Sequence, residues 1–267
     1  MNKITSVDNM MKNLLLMMVT ILLGSSLSVS CVSLKSHLKY THRTKSVVPI
    51  DAFAYVEVSQ VAKPSKCQPS EKFEECKKII NHLPPHSRMG TGSGLLVWTK
   101  NKPVFLTAAH VCVDDFPDVY EHQGVKFTIE KKIDIKVRSH EGEVYPTTIL
   151  KLDKGKDLCA LEVSKMIAPP VKLSHRAPKI GDKVYALSAP YGINAKGMTL
   201  VFSGYYSGND ERWHYYTIPT RPGSSGSIVL NKDHQAVGML NAAFLDIENV
   251  GLGAGYEDLK VFLKSID

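Results

Sequence analysis

Short apolar runs recur along the chain between turn-forming residues. They cover Ala52–Val58, Gly94–Val97, Val104–Thr107, Lys126–Glu130, Thr147–Leu152, Leu158–Val163, Lys183–Ser188, Thr199–Tyr205, Ile228–Leu230 and Ala236–Met239. Val, Ile, Tyr, Phe and Thr dominate them, and Gly, Pro, Asn and Asp punctuate, which is the pattern of strands rather than helices. Many short strands at this spacing predict an all-β barrel or sandwich. Only the end reads as helix. In Tyr256–Leu263 the acids Glu257 and Asp258 open the segment, and Leu259, Phe262 and Leu263 follow at helical spacing. Pro169-Pro170 is a rigid extended break that sets a boundary between two halves. Residues 59–90 read as a loop inserted between the first two strands.

The N-terminus has a different pattern. Leu14–Leu23 is an apolar run of ten residues behind Lys12, too short to span a bilayer comfortably and suited to a signal-peptide core. It leads into Ser28-Val29-Ser30-Cys31. Small residues at Ser28 and Ser30 suit a general signal peptidase, and Cys31 behind a small residue resembles a lipoprotein lipobox, which prefers an apolar residue at the place of Ser28. Three readings therefore stand for residues 1–31: a cleaved secretory signal, a lipoprotein signal lipidated at Cys31, and an uncleaved anchor. Residues 32–46 carry Lys35, Lys39, Arg43 and Lys45 without an acid and read as a basic linker that could touch anionic lipid.

Composition narrows the class. The 267 residues suffice for one large or two small domains. With 43% hydrophobic and 22% charged residues, a disordered or fibrous chain is excluded. The net charge of +7 comes without an aromatic-rich basic stripe, so no nucleic-acid partner is expected. Of the five cysteines, Cys67 and Cys76 bracket a polar segment and form a plausible local disulfide in an oxidising compartment. Cys112 and Cys159 lie in apolar surroundings and read first as buried free thiols, with a mutual bridge as the alternative. No zinc spacing is present near His82 and His86, and neither metal nor cofactor is expected.

Three segments carry chemistry. In Leu106-Thr107-Ala108-Ala109-His110-Val111-Cys112 a strand ends in small residues and then a His, which leaves room for the ring in a cleft. Asp157 directly precedes the apolar run Leu158–Val163, where a carboxylate can be buried enough to hold an imidazole through Nδ1–H. In Arg221-Pro222-Gly223-Ser224-Ser225-Gly226-Ser227, glycines flank a Ser in a way that allows a tight turn, an exposed hydroxyl and converging backbone N–H groups. Of the three serines only Ser225 has Gly two before and one after it. Taken singly, each segment has a bland explanation: a structural histidine, a turn aspartate, a Gly/Ser loop. Their combination, with gaps of 47 and 68 residues, is much more specific.

At this point the sequence resembles the trypsin-like serine proteases, and within them the HtrA/Deg branch more than the digestive enzymes; small exported trypsin-like peptidases of bacteria and tailed phages are similar in scale. The resemblance runs from about residue 47 to 264. Gly92-Ser93-Gly94 looks like the family's strand before the His, and Glu141–Tyr145 like its hairpin before the Asp strand. Ile180–Gly192 looks like its G-D-x-V-x-A-x-G-x-P-x-G stretch, with Ser188 at a usual Gly. Val237–Ala243 and Gly251–Ala254 resemble the strands that wall the specificity pocket.

The resemblance implies a chymotrypsin-like fold of two six-stranded antiparallel barrels, about 47–168 and 171–255, with a C-terminal helix over 256–265, all within a protease domain of 47–267. It implies an exported serine endopeptidase with His110, Asp157 and Ser225 as triad and the N–H groups of Gly223 and Ser225 as oxyanion hole. Its partners would be protein or peptide substrates. Asn241, Ala242 and Ala243 would line a neutral substrate pocket, with Pro219 where an acid would select Arg or Lys. Position 224 is Ser rather than Asp, so trypsin-style activation by a new N-terminus is not available. Ser227 and Ile228 replace the usual Gly and Pro. No PDZ-sized segment follows within the 267 residues, so HtrA-like regulation is not expected. A catalytically silent binding or scaffold protein of the envelope on the same fold is the competing class.

Overall fold

A computed structural model describes residues 48–69, 72–114, 116–164 and 168–266. The expected signal segment, Cys31 and the basic linker up to residue 46 lie outside them. Strands β1 (Phe53–Cys67), β2 (His86–Trp98), β3 (Pro103–Thr107), β4 (Val119–His122), β5 (Val125–Ser139), β6 (Val144–Asp153) and β7 (Leu158–Val163) form the first sheet. Its order is β1-β2-β3-β7-β6-β5-β4, and pairing of β1 with β5 closes six of these strands into a barrel with β4 outside. Strands β8 (Lys183–Ser188), β9 (Leu200–Asn209), β10 (His214–Tyr216), β11 (Ser227–Leu230), β12 (Ala236–Ala243) and β13 (Gly251–Ala254) close a second barrel in the order β10-β13-β12-β11-β8-β9. All strand pairs within the two sheets are antiparallel. The chymotrypsin-like double barrel expected from the sequence is therefore the fold observed, and the C-terminal helix occupies Tyr256–Lys264.

The inserted loop expected over 59–90 is not a loop. β1 runs on to Cys67 and β2 starts at His86, so the two strands extend past the barrel as a hairpin paired from Phe53↔Leu95 to Ala62↔His86. Gln60 and Ala62 point inward while the lysines point out, an alternation hidden by the high Lys, Pro and Ser content. Pro64 sits where the β1–β5 register shifts, at a bulge that tolerates a missing N–H. The hairpin tip carries helix α1 (Phe73–His82), where a loop was expected. Its Cys76, Ile79 and Ile80 recur at helical spacing and pack with Leu83 on Val125 and Phe127. The expected bond between Cys67 and Cys76 is present and ties the helix to β1.

Cys112 and Cys159 are not free thiols; they form a second disulfide. β3 and β7 pair with Thr107 opposite Cys159, and the chain turns back over this point immediately after β3 in a one-turn helix, α2 (Ala109–Cys112). Apolar surroundings are common to buried thiols and buried disulfides, so the local sequence does not distinguish them.

One core cluster spans both barrels, joining Leu95, Phe105, Leu106 and Leu161 to Leu187, Ile228, Leu230 and Met239. β2 is buried on both faces from Gly92 to Val97, because one face fills its own barrel and the other meets the second. The second barrel has its own filling around Val184, Tyr216, Ile218, Val229 and Val237. Tyr216 is fully buried and donates to Ala254 O at 3.3 Å; a Cβ on Gly238 would stand 2.0 Å from its hydroxyl, so only Gly fits there.

Beside Tyr216, the β10 residue His214 bonds Tyr206 through Nδ1 at 2.9 Å, and its ring fills the space that a Gly255 Cβ would need. Burial holds this imidazole below its ordinary pKa, with Lys156 adding in the same direction and Asp258 and Asp210 opposing. Well above about pH 6.5 the ring is neutral in both folded and unfolded chains. As pH falls the unfolded chain takes up the proton first, so stability is expected to decline through the lower folded-state value. Melting temperature followed between about pH 7.5 and 5 should fall less steeply in His214→Gln than in the wild type. Equal slopes would place the acid sensitivity in other groups.

Candidate active site

β3 and β7 are neighbours in the first barrel, and the chain leaves one and enters the other at the same end. α2 follows β3 and carries His110, while the neighbouring Ala108 and Ala109 are buried and offer only methyl groups beside the ring. Asp157 immediately precedes β7 and takes a left-handed backbone conformation, φ +54°. That turn aims its carboxylate back at α2. Oδ2 meets His110 Nδ1 at 2.8 Å, and Oδ1 accepts from the His110 backbone N–H at 2.9 Å. The carboxylate therefore fixes both the ring and the main chain that bears it. The side chains are 48% and 24% exposed, so the ring keeps one open edge.

Ser225 lies in the turn before β11. Gly223 and Gly226 have φ of +92° and +90°, which a side chain would strain. Space forbids one as well: a Cβ on Gly226 would lie 2.3 Å from Ser93 O, and one on Gly223 2.6 Å from Ala189 O. The two glycines let the turn press against the first barrel on one side and against the β8 exit on the other.

The carbonyls of this turn are held. Pro222 O accepts from Tyr191 N at 2.6 Å and Ser224 O accepts from Ser227 N at 3.0 Å. In a trans peptide the N–H points opposite the C=O. The N–H groups of Gly223 and Ser225 are thereby directed away from those partners, and among the described residues neither donates to the protein. Gly223 is buried, a place where backbone N–H groups are nearly always paired.

Asn241, in β12, connects the pieces. Its amide Nδ2 donates to Asp157 O at 3.0 Å and Lys156 O at 3.4 Å, which steadies the left-handed turn. Its backbone O accepts from Ser225 Oγ at 3.4 Å. Among the described residues this is the bond of the Ser225 hydroxyl; none joins it to His110. Asn241 was expected as a pocket residue, and its link to Asp157, 84 positions away, has no local signal.

Ala242 and Ala243 pair with Leu252 and Gly251. Thr220 is buried and donates through Oγ1 to Ile218 O at 3.1 Å, and a Cβ on Gly251 would come within 2.4 Å of Thr220 Oγ1. None of these residues, nor Pro219, carries a charge. Among the described residues no cluster of His, Cys, Asp and Glu suits a metal ion, and no helix is long and apolar enough to cross a membrane.

Comparison with known proteins bears on the fold and the family of the chain. The chain is 27% identical over 128 residues to a probable periplasmic serine endoprotease DegP-like of Chlamydia pneumoniae; that stretch is 46% of this chain and 26% of the relative, so the chain spans about a quarter of it. Among solved structures, the serine endoprotease from Yersinia pestis superimposes with a TM-score of 0.54 at 19% identity, covering 82% of this chain and 63% of that one, a likeness of fold. The family model of the trypsin-like peptidase domain matches residues 92–239, more than half of the chain and a stretch that contains His110, Asp157 and Ser225. A match of that extent, on two barrels of this topology, makes the chain a member of the trypsin-like peptidase domain family.

Proposed function

We propose that the protein is an exported serine endopeptidase in which Ser225 is the nucleophile, His110 the general base and Asp157 its partner. The observation that carries this reading is the two-point hold of Asp157 on His110, at 2.8 and 2.9 Å, in a chain of this family. Ser225 Oγ attacks the peptide carbonyl while His110 Nε2 takes its proton. The resulting oxyanion is received by the N–H groups of Gly223 and Ser225. The tetrahedral intermediate collapses, His110 protonates the leaving amine, and an acyl-enzyme remains. Water then attacks the acyl carbon, His110 again takes and returns the proton, and the acid product leaves. Asp157 holds the tautomer that keeps Nε2 free and stabilises the imidazolium. Formation of the Ser225–His110 hydrogen bond requires release of Ser225 Oγ from Asn241 O, and catalytic hydrogen bonds of this kind often tighten only when substrate binds.

The uncharged walls at Pro219, Thr220, Ala242 and Ala243 favour an apolar side chain just before the scissile bond. Two disulfides among the described residues fit an oxidising compartment, and the Chlamydia relative is named as periplasmic. Attachment to a membrane through Cys31 or the N-terminal segment belongs to the same proposal.

Fluorophosphonate labelling of the purified chain tests the reading. Labelling is expected in the wild type and absent in Ser225→Ala and His110→Ala. A folded wild type that does not label would favour the scaffold reading, for which the Ser225–Asn241 bond is the supporting observation.

A further inference from the structure

The turn that carries Ser225 is held from the first barrel by one buried side chain. Ser93, on β2, has no exposed surface. Its Oγ donates to Gly223 O at 2.8 Å and accepts from Ala189 N at 2.9 Å. Because the Ala189 N–H occupies an acceptor site of the hydroxyl, the Ser93 proton is directed to Gly223. Its backbone completes the clamp: Ser93 N donates to Ser225 O at 2.8 Å, and Ser93 O accepts from Thr107 Oγ1 at 2.8 Å. The flanking glycines make the approach feasible. A Cβ on Gly92 would lie 3.3 Å from Ser225 O, and one on Gly94 2.5 Å from Leu106 O.

Three successive peptide planes precede Ser225. The outer two, which contain the N–H groups of Gly223 and Ser225, are pinned by Tyr191 N and Ser227 N. The middle one, between Gly223 and Ser224, has its carbonyl on Ser93 Oγ and its N–H on Arg221 O at 2.8 Å within the turn. Gly223, with φ +92°, is where that plane can rotate most freely, since it lacks a Cβ. Rotation there would move both N–H donors relative to each other.

We infer that Ser93 is a positioning residue for transition-state stabilisation: its hydroxyl fixes the Gly223–Ser224 peptide so that the Gly223 and Ser225 N–H groups stay aimed at one oxygen. The inference rests on the proposed role of that turn as an oxyanion site. Preorganised donors of this kind act on the transition state more than on bound substrate.

The test compares wild type, Ser93→Ala and Ser174→Ala in the full chain. Ser174 is a buried Ser whose Oγ donates to Arg176 O, remote from the turn, and it controls for the loss of a buried hydroxyl. In Ser93→Ala, kcat on a peptide amide and the rate of fluorophosphonate labelling are expected to fall about 10- to 100-fold with KM within about twofold, a fraction of the loss of a whole donor. Ser174→Ala should keep both rates at a comparable melting temperature. If Ser93→Ala does not fold, Ser93→Cys fills the same space with a weak donor, and the same fall in kcat is expected. Unchanged kcat and labelling in the folded Ser93 variant, or a rise in KM alone, would overturn the inference. A wild type that fails to label would instead overturn the peptidase reading beneath it.

Discussion

Replacing Ser225 by Ala is expected to lower kcat for peptide hydrolysis by about 10⁵- to 10⁶-fold without disturbing the fold. Ser225 is partly exposed and its hydroxyl makes one long hydrogen bond, to Asn241 O at 3.4 Å, so its removal leaves no cavity in the core. The residual rate would come from substrate binding and from the N–H groups of Gly223 and Ser225, which the substitution leaves in place. Asp157→Asn separates the parts further. It removes the charge that holds His110 and presents an amide to Nδ1, which favours the wrong tautomer, and a fall of about 10⁴-fold is expected. Steady-state kinetics on one chromogenic peptide measures both. Equal activity of Ser225→Ala and wild type would remove Ser225 as nucleophile.

The second large effect concerns stability. Cys112 and Cys159 close a loop of 47 residues, and the chain-entropy relation assigns such a loop about 4 kcal/mol. The double substitution to Ala is expected to lower the melting temperature by on the order of 10 °C in a domain of this size. Activity should fall as well. Cys112 ends the single helical turn that carries His110, and Cys159 lies two residues beyond Asp157. The disulfide thus clamps the same two segments that the His110–Asp157 bond joins. The Cys67–Cys76 bond closes only nine positions, at the tip of the hairpin. Its removal should cost less stability and leave kcat near the wild-type value. A reductant that lowers activity in the Cys112/Cys159 double variant, but not in the Cys67/Cys76 one, would reverse this assignment.

Ten strands, the closing helix and the three candidate site residues were legible because their signals are local. A strand that buries one or both faces needs β-branched and apolar residues in a short run, as in Val104–Thr107 and Leu158–Val163. Helix α1 and the extension of β1 were not legible. Their stability comes from Val125 and Phe127, about 50 residues away, and from a disulfide, while the local composition is rich in Lys and Glu. β4 and β10, of four and three residues, are too short for a periodic signal.

The sequence alone singles out residues with the chemistry that the proposed site needs and with the local backbone to present it. His110 follows small residues at a strand end, Asp157 stands at a strand start, and Ser225 sits between glycines that permit positive φ. Each is a requirement of a few neighbouring residues, so it is written in order along the chain. What holds those residues depends on partners far away along the chain. Ser93 meets Gly223 across 130 positions, Asn241 meets Asp157 across 84, and Cys112 finds Cys159 across 47. The first two contacts exist because two closed barrels meet at one seam, and the third because β3 and β7 lie side by side within the first barrel. A Ser, an Asn or a Cys carries no mark of its partner until the strands that bear both have closed.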